Sequence, residues 1–218
     1  MRKSLIALLV AGLGVPELSG SQSPPDQVAS GRGADALIQE LRELPAAIGP
    51  EIRSDGRPIP EEVQRHRVYE QLRDLGSKVA LPALARALAD PDVQVRRNVA
   101  LFLTVYAGGW DDPSEPRVNI TACLPALIAA LKDDDARVRQ LSAQAIGEIG
   151  PGAAAAMANL VALLADRDEG TRNSACMGLA GLGSAATKAI PALKKALKDP
   201  SADVRRSAQQ AIDQIGAR

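Results

Sequence analysis

Few residues in this chain have side chains that could perform chemistry, and they are scattered. His66 is the single histidine among 218 residues, so no second histidine is present to complete a metal site or a proton relay. Arg65 and Arg67 flank it, which favours a solvated position. No nucleophile elbow or phosphate-binding glycine motif occurs, because GLGSAA from Gly181 has the pattern of a helix end. We therefore expect no catalytic residue, no metal site and no cofactor, and a protein that is not an enzyme.

The two cysteines, Cys123 and Cys176, lie where related segments of the chain carry mostly alanine. We interpret both as small core residues. A disulfide between them is the alternative if the protein enters an oxidising compartment. They fall at different levels of adjacent segments, however, and a disulfide requires Cα atoms within about 7 Å of each other.

One pair of charged residues recurs at a fixed spacing. An aspartate precedes an arginine by six residues in four segments, which read DPDVQVRR, DDDARVRQ, DRDEGTRN and DPSADVRR. A carboxylate and a guanidinium form strong, often bidentate hydrogen bonds. The pairs are Asp90 with Arg96, Asp133 with Arg139, Asp166 with Arg172, and Asp199 with Arg205.

These pairs belong to a helical repeat. Aligned on Leu81, Leu124, Met157 and Ile190, the four units are separated by 43, 33 and 33 residues. Each unit begins with a helix A, and proline follows the aligned residue in three of them, as suits the first turn of a helix. The N-cap types Asp92, Asp135, Asp168 and Ser201 then predict the start of a helix B. Glycine after Ile149, Leu182 and Ile215 predicts left-handed helix ends.

A fifth, degenerate unit precedes these four. ADALIQELRELP predicts its helix A, and PEEVQRHRVYEQLRDLG predicts its helix B with Arg65 at the arginine position. Composition agrees with closely packed helices, since 46% of residues are hydrophobic but only 2% are aromatic. Lysine and arginine total 26 against 26 acidic residues, without the basic excess of a nucleic-acid-binding protein, so we expect no nucleic-acid partner.

The recurring proline, turn aspartate and V-R pair resemble the HEAT repeat family, in the short form of the phycobilin lyases. The resemblance implies an all-α, right-handed α-solenoid of about five stacked helix pairs. It also implies that the turn aspartates and helix-B arginines hydrogen-bond within and between successive turns, as a structural ladder. The predicted organisation is a signal peptide over 1–21, a flexible leader over 22–33 and a repeat domain over 34–218. Its repeats span 34–76, 77–107, 120–150, 153–183 and 186–216, with an insertion loop over 108–119.

In HEAT-type solenoids the B helices line the concave side, which is where we expect a partner to bind. Leu101 and Met177 are the largest apolar residues predicted there, and polar residues surround them. Trp110 in the insertion loop is a second candidate contact, although it could instead fold back onto the seam between repeats. The hypothetical partner-binding residues are Tyr69, Arg97, Leu101, Gln140, Gln144, Asn173, Met177 and Trp110.

The N-terminus predicts export. Arg2 and Lys3 precede an apolar stretch from Leu5 to Val15, and the small residues Ser19 and Ser21 fit cleavage before Gln22. An uncleaved anchor is the alternative. We expect a periplasmic or extracellular monomer without a membrane span after cleavage.

The predicted function is a non-catalytic scaffold or adaptor that binds a protein or peptide on its concave face. Two alternatives stay open. One is a lyase-like or chaperone-like role in attaching a tetrapyrrole chromophore, which an export signal disfavours because that work is done inside the cell. The other is a structural component of the cell envelope.

Overall fold

A computed structural model of the chain describes residues 31–44, 60–108 and 118–216. The predicted signal peptide, residues 45–59, most of the insertion loop and Trp110 lie outside these ranges. The described residues are helical, with no strand among them. Within these ranges ten α-helices form five pairs: α1 Gly31–Glu40 with α2 Pro60–Asp74, α3 Ser77–Ala87 with α4 Val93–Gly108, α5 Leu124–Ala130 with α6 Ala136–Ile149, α7 Met157–Leu163 with α8 Glu169–Gly181, and α9 Ile190–Ala196 with α10 Ala202–Gly216.

The odd-numbered helices are the A helices of the repeats and the even-numbered helices are the B helices. In the last three repeats a 3₁₀ helix leads into helix A, over Thr121–Cys123, Gly150–Ala156 and Gly183–Ala189. Pro125 and Pro191 therefore lie in the first turn of their α-helices, as predicted. Pro82 does not. Helix α3 already begins at Ser77, directly after Gly76, so Pro82 is inside it.

Two boundaries differ from the sequence prediction. The leader does not extend to residue 33, because α1 begins at Gly31; the first N–H groups of a helix need no intrahelical partner, so glycine is tolerated there. Gly150 and Gly183 have the predicted positive φ, at 75° and 55°, but Gly216 does not and simply closes α10. Gly76, at φ 74°, precedes α3 with a similarly positive φ, which favours glycine.

The core is a single apolar layer running through the stack between A and B helices. Leucines at one aligned position of the A helices are fully buried, and so are the β-branched residues that open the B helices. These residues are Leu84, Leu127, Leu160 and Leu193, and Val95, Val138, Thr171 and Val204. By length and hydropathy the helical stretch Ala136–Leu163 could span a membrane; here it comprises α6, a 3₁₀ segment and α7, and it turns at Gly150.

The two sides of the stack are packed differently. From α4 to α10, neighbouring B helices pack closely against each other, whereas the A helices α3, α5, α7 and α9 make few contacts with one another. The first repeat differs, because α1 packs against α3 while α2 and α4 make few contacts. Between α3 and α5 the outer side opens into a cleft of about 440 Å³ with alanines such as Ala85 and Ala126 along it. We call the side of the stack formed by the B helices the inner face; it carries polar and exposed residues such as Asn173 and Met177.

Candidate partner-binding surface

In the last four repeats, the turn between the A and the B helix is built around its aspartate. The carboxylate of Asp133 accepts the backbone N–H of Asp135 at 2.9 Å, and Asp135 in turn caps α6 by accepting the N–H of Val138 at 3.1 Å. The same bond, with the same two-residue offset, recurs in the second, fourth and fifth repeats at 2.8 to 2.9 Å. The turn aspartate thus stabilises its own turn, in addition to any hydrogen bond that it accepts from an arginine.

The arginines join these turns into what we call the first ladder. Arg139 donates through Nε and Nη2 to both carboxylate oxygens of Asp166 in the next repeat, at 2.9 Å each. Its Nη1 donates to the carbonyl oxygens of Asp133 and Asp134 in its own turn, at 2.8 and 3.1 Å. Arg96 and Arg172 bind their next-repeat aspartates, Asp133 and Asp199, in the same way.

Both ends of the first ladder depart from the repeating pattern. The carboxylate of Asp90 is bound by Arg42, in the turn after α1, at 3.2 Å, and not by Arg65, which lies buried on α2. The degenerate first repeat therefore supplies its arginine from a different element. Arg205 donates to the carbonyls of Asp199 and Pro200, at 2.7 and 2.8 Å, and no further turn aspartate follows among the described residues.

The electrostatics agree with a structural role for the first ladder. The hydrogen bond from Arg172 holds the pKa of Asp199 below its usual value, although burial opposes this. The hydrogen bond to Asp133 likewise raises the pKa of Arg96. The aspartates and arginines of the first ladder neutralise one another. The ladder therefore joins neighbouring repeats and leaves few of its charges free to bind a ligand.

A second ladder, which the sequence did not reveal, runs along the inner face. Arg97 donates through Nε and Nη2 to the N-cap carboxylate of Asp135, at 2.9 and 2.5 Å. Gln140, at the aligned position, donates to Asp168 at 2.7 Å, and Gln144 donates to the hydroxyl of Ser174 at 3.2 Å. Three of the predicted partner-binding residues are therefore occupied in joining neighbouring B helices.

Tyr69 was wrongly predicted to be exposed. It is 5% exposed, its hydroxyl donates to the carbonyl of Asn98 at 2.8 Å, and its ring lies 5.0 Å from that of Phe102. Ala100, Ala143 and Cys176, in the same aligned row, are fully buried. The predicted exposure is wrong because this aligned position of the B helices lies in the interface between neighbouring B helices.

Met177 and Asn173 are the predicted residues that remain available on the inner face. The Met177 side chain is 49% exposed, and Val63 is the other exposed large hydrophobic residue in the described ranges. Leu101 is half-buried. The amide of Asn173 contacts Met177 only through Nδ2 and Sδ, at 4.0 Å, and its buried Oδ1 has no hydrogen-bond partner among residues 31–44, 60–108 and 118–216.

Comparison with known families now identifies the repeats. Residues 124–213 match the family model of HEAT repeats. This segment is a run of HEAT repeats. A comparison of the chain with curated proteins gave no match.

Solved structures with the same architecture span most of the chain. The complex of CpcE and CpcF of phycocyanin lyase from Nostoc is 19% identical, covers 83% of this chain and 98% of that one, and has a TM-score of 0.61. A designed armadillo repeat protein in complex with the peptide (KR)4 is 20% identical, with coverage of 87% and 89% and a TM-score of 0.58. A HEAT-like repeats protein from the archaeon Thermococcus onnurineus is 17% identical, with coverage of 82% and 65% and a TM-score of 0.50. At these identities the likeness establishes the fold alone.

The other candidates for chemistry are the two cysteines and the single histidine. Cys123 and Cys176 are buried free thiols, and burial raises their pKa values to about 11 and about 12. The Nε2 atom of His66 lies 3.3 Å from Oε1 of Glu70, which is one turn further along α2. Across the described part of the chain, no three histidine, cysteine or acidic side chains are grouped to hold a metal ion.

Proposed function

We propose that this protein is a non-catalytic adaptor that binds an extended protein segment along the inner face of its HEAT repeats. The observation that carries the proposal is Met177, a large apolar side chain left half-exposed on α8. A flexible thioether side chain adapts to differently shaped partners and gains free energy when a partner covers it.

The amide beside Met177 supports an extended peptide as the ligand. An asparagine side chain carries both a donor and an acceptor, which match the C=O and N–H groups of a peptide main chain. The Oδ1 atom of Asn173 lacks a partner in the described structure, and leaving a buried acceptor unsatisfied costs about 1 to 3 kcal/mol. A peptide N–H that reaches Oδ1 would recover that energy.

The structural relatives are compatible with this proposal. The designed armadillo protein has a similar stack of helices and is in complex with a peptide, and the Nostoc lyase is itself a complex of two chains. What carries over at about 20% identity is the architecture. A curved helical stack of this size can hold an extended segment of another protein, while the identity of that segment depends on the local side chains.

The test is capture of a partner by variants that differ in one place. Full-length wild-type protein, Met177→Glu and Ala162→Glu are used as bait in an extract of the source cells. Ala162 is exposed on the A helix α7, so its variant adds the same charge away from the inner face. We expect a distinct protein to be retained by wild type and by Ala162→Glu, and to be reduced about tenfold or more with Met177→Glu.

Retention of that protein by Met177→Glu at the wild-type level would contradict the proposal, provided that circular dichroism shows equal helicity. Capture of further copies of the same chain alone would favour the structural envelope role instead. A change in absorption on adding a tetrapyrrole would favour the lyase-like role. Leu101 is left unchanged in this test because it is half-buried, and a glutamate there would destabilise the fold directly.

We also propose that the adaptor acts outside the cytoplasm, on the strength of residues 1–21 alone. Fusion of residues 1–30 to a reporter enzyme that is active only after export should give activity. Replacing Leu8 and Leu9 with arginine should abolish the activity, and unchanged activity would contradict export.

A further inference from the structure

Arg137 stands out because it is a half-buried cation without a counter-ion. It is the second residue of α6, and its one hydrogen bond runs from Nη1 to Oε1 of Gln140, at 3.3 Å. Its other N–H groups have no hydrogen-bond partner in the part of the chain that the structure describes. A guanidinium has five N–H donors, so most of its binding capacity is unused.

The surroundings of Arg137 make the charge unfavourable where it is. Burial is the main cause that lowers the pKa of its guanidinium, the neighbouring positive charge of Arg97 lowers it further, and the carboxylate of Asp135 opposes both but does not outweigh them. The first turn of a helix is also the end at which the macrodipole disfavours a cation. Among the described residues no carboxylate forms an ion pair with Arg137, so the contacts within the repeat do not account for a cation at this position.

The nearby carboxylates are already used by other groups. Asp135 receives two hydrogen bonds from Arg97 and caps α6, and Asp168 receives those of Gln140 and Thr171. The amide of Gln140 is held by its hydrogen bond to Asp168, at 2.7 Å, and lies against Gly170. The pair Arg97 and Arg137 therefore keeps one uncompensated positive charge at the edge of the inner face.

We infer that Arg137 binds a carboxylate side chain of the partner, so that the segment held on the inner face is acidic. The inference rests on the proposed function. A carboxylate can accept two parallel hydrogen bonds from one guanidinium. A partner carboxylate would therefore neutralise the positive charge of Arg137, which Asp135 does not neutralise because it is paired with Arg97. Arg137 adjoins Gln140, and Gln140 and Gln144 both bond to α8, which carries Met177, so charge and apolar contact lie on the same pair of helices.

The test uses synthetic peptides of defined charge and the full-length protein. Fluorescein-labelled peptides of four Glu-Ser, four Gln-Ser or four Lys-Ser repeats are titrated, and binding is followed by fluorescence anisotropy at low and high salt. We expect the Glu-Ser peptide to bind about tenfold or more tightly than the other two at low salt, and less tightly at high salt. Arg137→Gln should lower its affinity about tenfold, while Arg137→Lys retains part of it.

The matched control is Arg167→Gln, which removes the same charge from an exposed turn. It should leave the affinity within about twofold, since rim charges far from the contact contribute little. Equal binding of the three peptides by wild type, or an unchanged affinity in Arg137→Gln at equal helicity, would overturn the inference. Displacement of the Glu-Ser peptide by inorganic phosphate but not by acetate would also overturn it, in favour of a phosphate ligand.

Failure of this inference is distinguishable from failure of the proposed function. If wild type captures a partner that Met177→Glu loses, and Arg137→Gln retains both that partner and the Glu-Ser peptide, the adaptor function stands and the carboxylate site is refuted. If Met177→Glu retains the partner while Arg137→Gln weakens the acidic peptide, the charge site stands and the inner-face groove is refuted.

Discussion

Arg172 joins three parts of the chain with one side chain. It is fixed on α8, it donates to the carbonyl of Asp166 in its own turn at 3.0 Å, and it binds both carboxylate oxygens of Asp199 in the next repeat at 2.7 and 2.9 Å. The ion pair is largely shielded, because the Arg172 and Asp199 side chains are 14% and 8% exposed. Removing one partner therefore leaves a charge that water solvates poorly.

Asp199→Asn should make stability less dependent on pH. The folded-state pKa of Asp199 is lowered, first by the hydrogen bond from Arg172, whereas in the unfolded chain it is about 3.9. The carboxylate thus stabilises the fold above the unfolded value, and this contribution is lost as pH falls through the folded value. Urea unfolding should show a loss of about 2 to 3 kcal/mol in the variant at pH 7 and a smaller difference at pH 3.

The matched control for this measurement is Asp134→Asn, an exposed residue of an equivalent turn. It should change the free energy of unfolding by less than about 0.5 kcal/mol at either pH. A gap between wild type and Asp199→Asn that stays constant from pH 7 to pH 3 would show that the carboxylate is not stabilised by Arg172 in the folded state.

Helices α6 and α8 pack backbone against backbone at a glycine seam. A Cβ atom on Gly178 would lie 2.7 Å from the carbonyl oxygen of Ala143, and one on Gly181 would overlap the carbonyl group of Gly147. The seam brings the helix that carries Arg137 and the helix that carries Met177 into register. It explains why these positions are glycine although glycine weakens a helix.

Gly181→Ala should therefore destabilise the protein, against the trend of helix propensity. Alanine gains about 1 kcal/mol over glycine in an unhindered helix, but here the added methyl group must push two backbones apart. We expect the free energy of unfolding to fall by about 2 kcal/mol. Gly152→Ala is the control, because a Cβ there would meet Ile149 at an ordinary 3.8 Å. Equal or greater stability of Gly181→Ala would refute the seam.

The helices could be predicted to within a few residues where local signals define them. The B helices start after Asp92, Asp135, Asp168 and Ser201 as predicted, because an N-cap acts through neighbouring backbone groups. Contacts between repeats could not be predicted in the same way. The sequence predicts that Asp135 is an N-cap, but its hydrogen bond from Arg97 depends on how closely α4 and α6 approach each other. The burial of Tyr69 and the pairing of Asp90 with Arg42 have the same long-range origin.

The stack as a whole has one continuous core that includes Cys123 in the third repeat and Cys176 in the fourth. Both thiols are free, and Cys123 Sγ contacts the carbonyl oxygen of Leu81 at 3.5 Å, across the boundary with the second repeat. Each cysteine therefore reports on the integrity of a different interface. In a solenoid these interfaces hold the repeats together, since no repeat buries its apolar face alone.

Neither thiol should react with a disulfide reagent at pH 8 faster than the protein unfolds. Burial raises both pKa values to about 11 or higher, so the reactive thiolate is scarce in the folded state. The single-cysteine variants Cys123→Ala and Cys176→Ala should react at one common rate that follows unfolding measured by circular dichroism. A rate many times higher for one of them would show that its interface opens on its own.

The pairing pattern of the first ladder also gives the chain a direction. In each of its rungs the arginine comes from one repeat and the carboxylate from the following one, as in Arg96 with Asp133 and Arg139 with Asp166. Synthesis proceeds from the N-terminus, so every arginine has left the ribosome before its aspartate does. The finished repeats thus offer a ready binding site to the turn that emerges next, and the stack can be closed one unit at a time in the order of translation.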